Sequence, residues 1–250
     1  MRRRRVLGVA ALALGLVVVA AAIARAQQDW RSASHAPVGL APDPASAPEA
    51  VIQVYDARTV GVRGVFGVHT WIAVKPPRAK AYTVYEVIGW KLRWDDTALS
   101  VRQRDPDARW YGNAPELLAD VRGAAAEALI PRIDAAARSY PYGDEYQAWP
   151  GPNSNTFTAW VLRRVPELRA DLPATAIGKD YLRGRVLAAA PSGHGLQISV
   201  GGLLGITASP VEGLEVNVLG LAFGLDPWPF AVRLPLAGRF GMASFRGSGD

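Results

Sequence analysis

Apolar and polar positions change rhythm four times along this chain. Residues 6–24 are apolar without interruption, and no polar face is left to meet water. From residue 51 onward, runs rich in Val, Ile, Tyr and Trp at 51–55, 65–74 and 82–90 predict strands. Lys75-Pro76-Pro77-Arg78 supplies a turn, so the last two should form an antiparallel hairpin. The pattern then becomes helical. Asn113, with Glu116 three residues later, predicts a capped helix start. Leu117, Leu118, Val121, Ala125, Leu129 and Ile133 make its apolar face through Arg138, with Pro131 kinking or splitting it. A second helix is expected from Thr156, with Phe157, Trp160, Val161 and Val165 on one face and Pro166 closing it. Beyond Gly184 the period falls to two: Leu196, Ile198 and Val200 alternate with Gln197 and Ser199, and Leu214, Val216 and Val218 with Glu215 and Asn217. These are strands. The tail, 219–245, is apolar and glycine-rich, with Phe223, Trp228, Phe230 and Phe240.

The expected fold class is therefore α+β, an antiparallel sheet with packed helices followed by a glycine-rich β extension. Its divisions are an export segment at 1–26, an Ala/Pro/Ser spacer at 27–50, the α+β domain at 51–184 and the extension at 185–250, packed on the domain or on a membrane.

Charge and compartment sharpen this picture. Arg2 to Arg5 precede the apolar run, and Ala24-Arg25-Ala26 is a small-x-small cleavage pattern. Residues 1–26 read as a signal peptide or an uncleaved membrane anchor; in both cases the arginines stay in the cytoplasm and the rest is exported, to the periplasm or the outer surface of the cytoplasmic membrane. Five of the 28 basic residues lie in that segment, which holds no acid, leaving 23 against 22 acidic residues for the remainder. The net charge of +6 thus reflects targeting, and no basic surface remains to suggest a nucleic-acid partner. Cysteine is absent, so no disulfide, thiolate site or cysteine nucleophile is available. Phosphate-binding and dinucleotide loops are missing, and histidines scattered at 35, 69 and 194 do not make a zinc site. No cofactor is expected.

The candidate chemistry centres on Trp149-Pro150-Gly151-Pro152-Asn153-Ser154-Asn155, a proline-set loop running into the second helix. A hydroxyl at a helix start faces unpaired N–H groups and the positive end of the helix dipole. Ser154 is the candidate nucleophile, with Asn153 and Asn155 as flanking donors or simply caps. Serine needs a neighbouring base, and His69, on a predicted strand, is the candidate. Glu86 on the next strand is placed to orient the imidazole if the hairpin register permits; a one-residue slip would substitute Tyr85 or Val87. Trp71 and Tyr85 are candidate substrate contacts. Lys179-Asp180-Tyr181 reads as a surface turn bordering the same cleft.

The order of strand histidine, neighbouring strand, helices, then Asn-Ser-Asn at a helix start resembles the circularly permuted branch of the papain-like superfamily, which includes lecithin-retinol-acyltransferase-like proteins and bacterial cell-wall endopeptidases. That resemblance implies a permuted papain-like domain with His69 as base and Ser154 at the nucleophile's position, where the family has cysteine. The segments 68–74, 85–90, 149–157 and 175–181 are also similar to an uncharacterised bacterial family of exported proteins, DUF3750-like, which implies no activity. The expected function is an envelope-located amide or ester hydrolase or acyltransferase acting on peptidoglycan peptides or lipid acyl groups. The alternative is a non-catalytic papain-like module binding a lipid or cell-wall ligand at the membrane surface. A third reading makes the β extension an assembly surface.

Overall fold

Strands form where β-branched and aromatic residues cluster after residue 50. The computed structural model describes residues 29–241 apart from Trp228 and Ala237, together with Gly15, Val19, Ala20 and Ala24. But for those four, the export segment expected at 1–26 lies outside the described residues. Among the described residues no helix is long and apolar enough to cross a membrane.

The first sheet contains β1 (Val51–Arg58), β2 (Val68–Lys75), β3 (Thr83–Val87), β4 (Leu99–Gln103) and β5 (Glu116–Arg122), all paired antiparallel in the order β4-β3-β2-β1-β5. The hairpin expected around Pro76 and Pro77 is β2–β3. A short helix, α1 (Arg63–Phe66), takes the beginning of the second predicted strand, and a 3-10 turn at Gly89–Arg93 takes the end of the third. Two longer helices follow, α2 (Gly123–Arg138) and α3 (Ser154–Leu162).

The helix start expected at Asn113 is not there. Glu116–Arg122 is strand β5, and α2 begins only at Gly123, whose φ of +66° ends the strand. Asn113 instead donates its side-chain amide to the Trp110 carbonyl at 3.2 Å. The physical reason is the edge of β1, which offers a ladder from Val51 to Asp56. Pairing there sends Leu118 into the helix-side core and Leu117 to the opposite face, as strand geometry requires of neighbours. Pro131 lies inside one uninterrupted helix and does not split it.

The two faces of the first sheet are covered differently. Ile52, Val54, Ile72, Val74 and Val87 pack beneath Ala126, Leu129 and Ile133 of α2 and Phe157 and Val161 of α3. On the reverse, Val51, Tyr55, Trp71, Ala73 and Val84 pack with Tyr82 and Trp110. The expected spacer contributes here too. Ser34 and Ala36 accept backbone bonds from Gly112 and Arg109. The Leu40 N–H donates to Asp107 at 2.6 Å, and buried Lys75 donates to the carbonyls of Ala47 and Glu49 at 2.8 and 2.6 Å. From Ser34 onward, then, the segment is an arm fixed to the sheet.

The second sheet is a seven-stranded antiparallel meander in sequence order: β6 (Leu187–Ala189), β7 (Leu196–Val200), β8 (Leu204–Ser209), β9 (Gly213–Val218), β10 (Leu221–Pro227), β11 (Phe230–Leu234) and β12 (Gly238–Gly241). The predicted alternation at 196–200 and 214–218 is present, with the polar residues turned inward. Lys179, at 2.7 Å from Glu215, and Arg233, at 2.6 Å from Asp171, tie this face to the first domain, and Asp226 of β10 holds Arg233 at 2.8 Å within the sheet. Asp180 accepts from Asn217 at 2.7 Å. Lys179 and Asp180 are 1% and 5% exposed, so the surface turn expected there is a buried electrostatic joint.

Candidate functional site

Helix α3 starts where it does because Asn153 caps it. Its side-chain oxygen accepts from the N–H groups of Asn155 (2.9 Å) and Thr156 (3.2 Å), and the Thr156 hydroxyl accepts from the Asn153 N–H at 3.1 Å. This is a capping box with threonine in the reciprocal place. Gly178, at φ +95°, makes room for it: a Cβ there would lie 2.5 Å from Asn153 Nδ2. Asn155 pins the helix start to the sheet, donating to the carbonyls of Val68 (3.1 Å) and Ile177 (2.8 Å) and accepting from Thr70 (3.1 Å). The side-chain donors of Asn153 are equally committed, to Ala148 (3.2 Å) and Ile177 (3.0 Å). Asn153 and Asn155, expected as flanking donors or caps, thus line the same cavity as Ser154 but commit their side chains to the fold.

Ser154 is relieved of that duty. Neither its hydroxyl nor its N–H has a hydrogen-bond partner among the described residues, although its carbonyl accepts from Thr70. It lines a cavity of about 550 Å³ that His69 also lines. Phe66, Val87, Ile88, Trp90, Ile177 and Leu221 make most of the wall apolar. The cavity lies where β2 begins, beyond the last β2–β3 pair, Ile72↔Tyr85. There Thr70 turns toward α3 while His69 turns to the opposite face, and the cavity takes in both sides of the sheet end. No hydrogen bond joins His69 to Ser154.

The register settles which residue of β3 meets the imidazole. One step beyond Ile72↔Tyr85, Glu86 comes opposite Trp71 and diagonal to His69 on the same face. Its Oε2 lies 2.9 Å from His69 Nε2. Both side chains are buried. Burial alone would raise the Glu86 carboxyl, but the His69 hydrogen bond and the Arg104 guanidinium outweigh it and hold its pKa at about 2. Arg104 contributes Nε and Nη2, each 3.3 Å from a carboxylate oxygen, and Arg102 adds a contact at 3.3 Å. Burial lowers the His69 pKa, and Glu86, pulling upward, does not restore it. A neutral imidazole that donates from Nε2 to a carboxylate keeps Nδ1 as its acceptor. Trp110 stacks on the ring at a centroid distance of 3.7 Å and 13° between planes.

The remaining expected contacts lie elsewhere. Trp71 is fully buried and donates to the Pro106 carbonyl at 2.7 Å. Tyr85 points to the helix side and donates to Asp134 at 3.1 Å. Neither lines the cavity. Trp110, Trp90, Tyr146 and the turn carrying Leu219 do, and the sequence reading did not single them out. Trp149, in the highlighted loop, lines it as well and donates its indole N–H to the Leu219 carbonyl at 2.9 Å. Among the described residues no group of three or more His, Asp or Glu side chains is placed to hold a metal ion.

A mixed protein of two antiparallel sheets, with a histidine–carboxylate pair and a helix-start serine on one apolar cavity, is the class this arrangement defines. Residues 49–181, more than half of the chain, match the family described as "Protein of unknown function (DUF3750)", and the chain belongs to that family. No curated protein and no solved structure matches it.

Proposed function

We propose that the cavity is an acyl-transfer site in which Ser154 attacks an ester or amide carbonyl, His69 takes its proton and Glu86 stabilises the imidazolium. The observation that carries this reading is the buried His69–Glu86 pair at 2.9 Å, whose imidazole lines the same cavity as a serine hydroxyl that the fold does not use. In the reaction Ser154 Oγ bonds to the carbonyl carbon as its proton passes to His69 Nδ1. The unpartnered Ser154 N–H, at the positive end of α3, faces the developing oxyanion. The imidazolium then protonates the leaving alcohol or amine as its bond to the acyl carbon breaks. Water or an acceptor hydroxyl, deprotonated by His69, releases the acyl group. Arg102 and Arg104 keep Glu86 ionised throughout. The apolar wall suits a hydrocarbon acyl portion better than a peptidoglycan peptide. The order of strand histidine, neighbouring-strand carboxylate and later helix-start nucleophile supports reading the domain as permuted papain-like, with serine replacing cysteine. The apolar run at 6–24 behind Arg2 to Arg5 supports reading residues 1–26 as an export segment and this chemistry as envelope-located.

Reaction requires Nδ1 and Oγ to approach to about 2.6–3.2 Å. That they are not bonded favours a second reading, a module that holds an acyl ligand without turning it over. A fluorophosphonate probe and p-nitrophenyl esters of graded chain length separate the two. Catalysis predicts labelling at Ser154, preference for longer acyl chains, and a loss of about 10²–10⁴-fold for His69→Ala. Ester binding with no labelling of Ser154 and no turnover would establish the binding module instead.

A further inference from the structure

The second sheet is inverted relative to an ordinary half-buried sheet. Its inward positions carry Gln197, Glu215, Asn217, Asp226 and Arg233, all 6% exposed or less. Its outward cross-strand pairs include Ile198↔Ile206, Val216↔Phe223 and Leu225↔Val232. Leu196, Ile206, Phe230 and Phe240 are 64%, 53%, 54% and 53% exposed. Among the described residues, no outward-facing strand position carries a polar or charged side chain. At the usual strand spacing of about 4.8 Å, seven strands make this slab about 30 Å across.

We propose that the outward face of the seven-stranded sheet is seated on a lipid bilayer. The inner strands bond their backbone groups to neighbours, so the face offers hydrocarbon and no unsatisfied donor, the condition a lipid-facing surface must meet. A protein partner is a poorer fit, because protein interfaces carry about one hydrogen bond per 100–200 Å² and a polar rim. The chain itself brings the membrane close. Residues 6–24 are apolar behind Arg2 to Arg5, while the arm is fixed to the domain from Ser34. The nine residues 25–33 between them span at most about 30 Å. With residues 6–24 retained as the membrane anchor, so short a tether keeps the domain within reach of the same bilayer. The same face runs into the cavity: the turn joining β9 to β10 places Leu219, 60% exposed, and Leu221 on the cavity wall beside Trp149. Docking thus brings the cavity mouth to the lipid surface. The proposal does not depend on turnover at Ser154.

The chain has no cysteine, so a single introduced one can be labelled cleanly. The full chain carrying Ile206→Cys, labelled with an environment-sensitive fluorophore, is reconstituted into vesicles of phosphatidylcholine and phosphatidylglycerol with brominated acyl chains. Glu127→Cys, exposed on α2, is the comparison. Docking predicts a blue shift and loss of emission at position 206, with neither at 127. Adding Ile198→Lys and Val216→Lys, both at positions already solvent-facing in the fold, should abolish the quenching at 206 while the protein stays with the vesicles. A probe at 206 that emits as in water overturns the proposal. So does a shielded probe that bromine does not quench: a dimeric mass would then assign the face to a second copy, and a monomeric mass to another segment of the same chain.

Discussion

The two sheets of this molecule solve the same problem in opposite senses. The first buries its apolar residues on both faces and holds its buried charges in closed sets: Lys75 on two carbonyls, and Glu86 between His69 and two arginines. The second turns its polar residues inward against Lys179 and Asp171 and leaves its apolar residues outside. Hydrophobic burial explains how the first sheet is held but not how the second is attached. That attachment depends on ion pairs whose desolvation must be offset by close geometry. The difference teaches that the second sheet was shaped by what lies beyond it.

The strongest test of the contrast is at the joint. Lys179 is wholly buried and kept charged: burial favours the neutral amine, and Glu215 and Asp180 outweigh it. Lys179→Met keeps the volume but takes from Glu215, itself 2% exposed, its nearer cation, leaving only Arg233 at 3.7 Å. The expected cost is about 3–5 kcal/mol in urea unfolding. A cost near zero would mean the sheet is attached by something other than this pair.

A smaller effect is expected at the site, where the contrast is with a charge network that is satisfied. The Glu86 pKa is about 2 in the fold against 4.5 for the free side chain. A depressed carboxyl stabilises above its unfolded value and loses that contribution as pH falls through its folded value. The loss therefore runs from about pH 4.5 to pH 2, on the order of 3 kcal/mol. His69 acts earlier. Its folded pKa lies below 6.5, so the unfolded chain takes up a proton first and stability falls as pH drops from 6.5. Urea midpoints between pH 8 and pH 3 should show both declines, and His69→Gln should remove the upper one. An unchanged upper slope in that variant would show that the imidazole is not held neutral.

These buried charges also mark how far the sequence could be read. Strands β1, β2 and β3 were legible because Val, Ile, Tyr and Trp cluster between Pro and Gly breaks, whereas β4, with Ser100, Arg102 and Gln103, carries no such cluster. His69, Glu86 and Ser154 were legible as residue types in suitable places, but the register Ile72↔Tyr85 that joins the first two was not. Leu117 and Leu118 fit a helix and a strand equally well, and the edge of β1, far away in the chain, decided for the strand. Trp110 was invisible because it sits in an irregular segment whose path onto His69 no periodicity encodes. In the second sheet, alternation revealed two faces at 196–200 and 214–218 but not which of them points inward. That depended on Lys179, Asp171 and Asp180, residues whose local pattern reads as turns.

The smallest expected effect discriminates most finely between the sheets. Ile72 is 0% exposed on β2, and Ile206 is 53% exposed on β8. Threonine shares the β-branch, so Ile→Thr holds strand preference nearly constant and isolates burial. Ile72→Thr removes core contacts and buries a hydroxyl, for an expected cost of about 2–4 kcal/mol. Ile206→Thr in lipid-free protein should stay within about 0.5 kcal/mol, because the side chain meets solvent before and after folding alike. Equal costs would mean that the outer face is already covered without lipid, and the inversion would then be only apparent. Unequal costs in solution that converge when the same pair is measured on vesicles would place the missing cover of the second sheet in the bilayer.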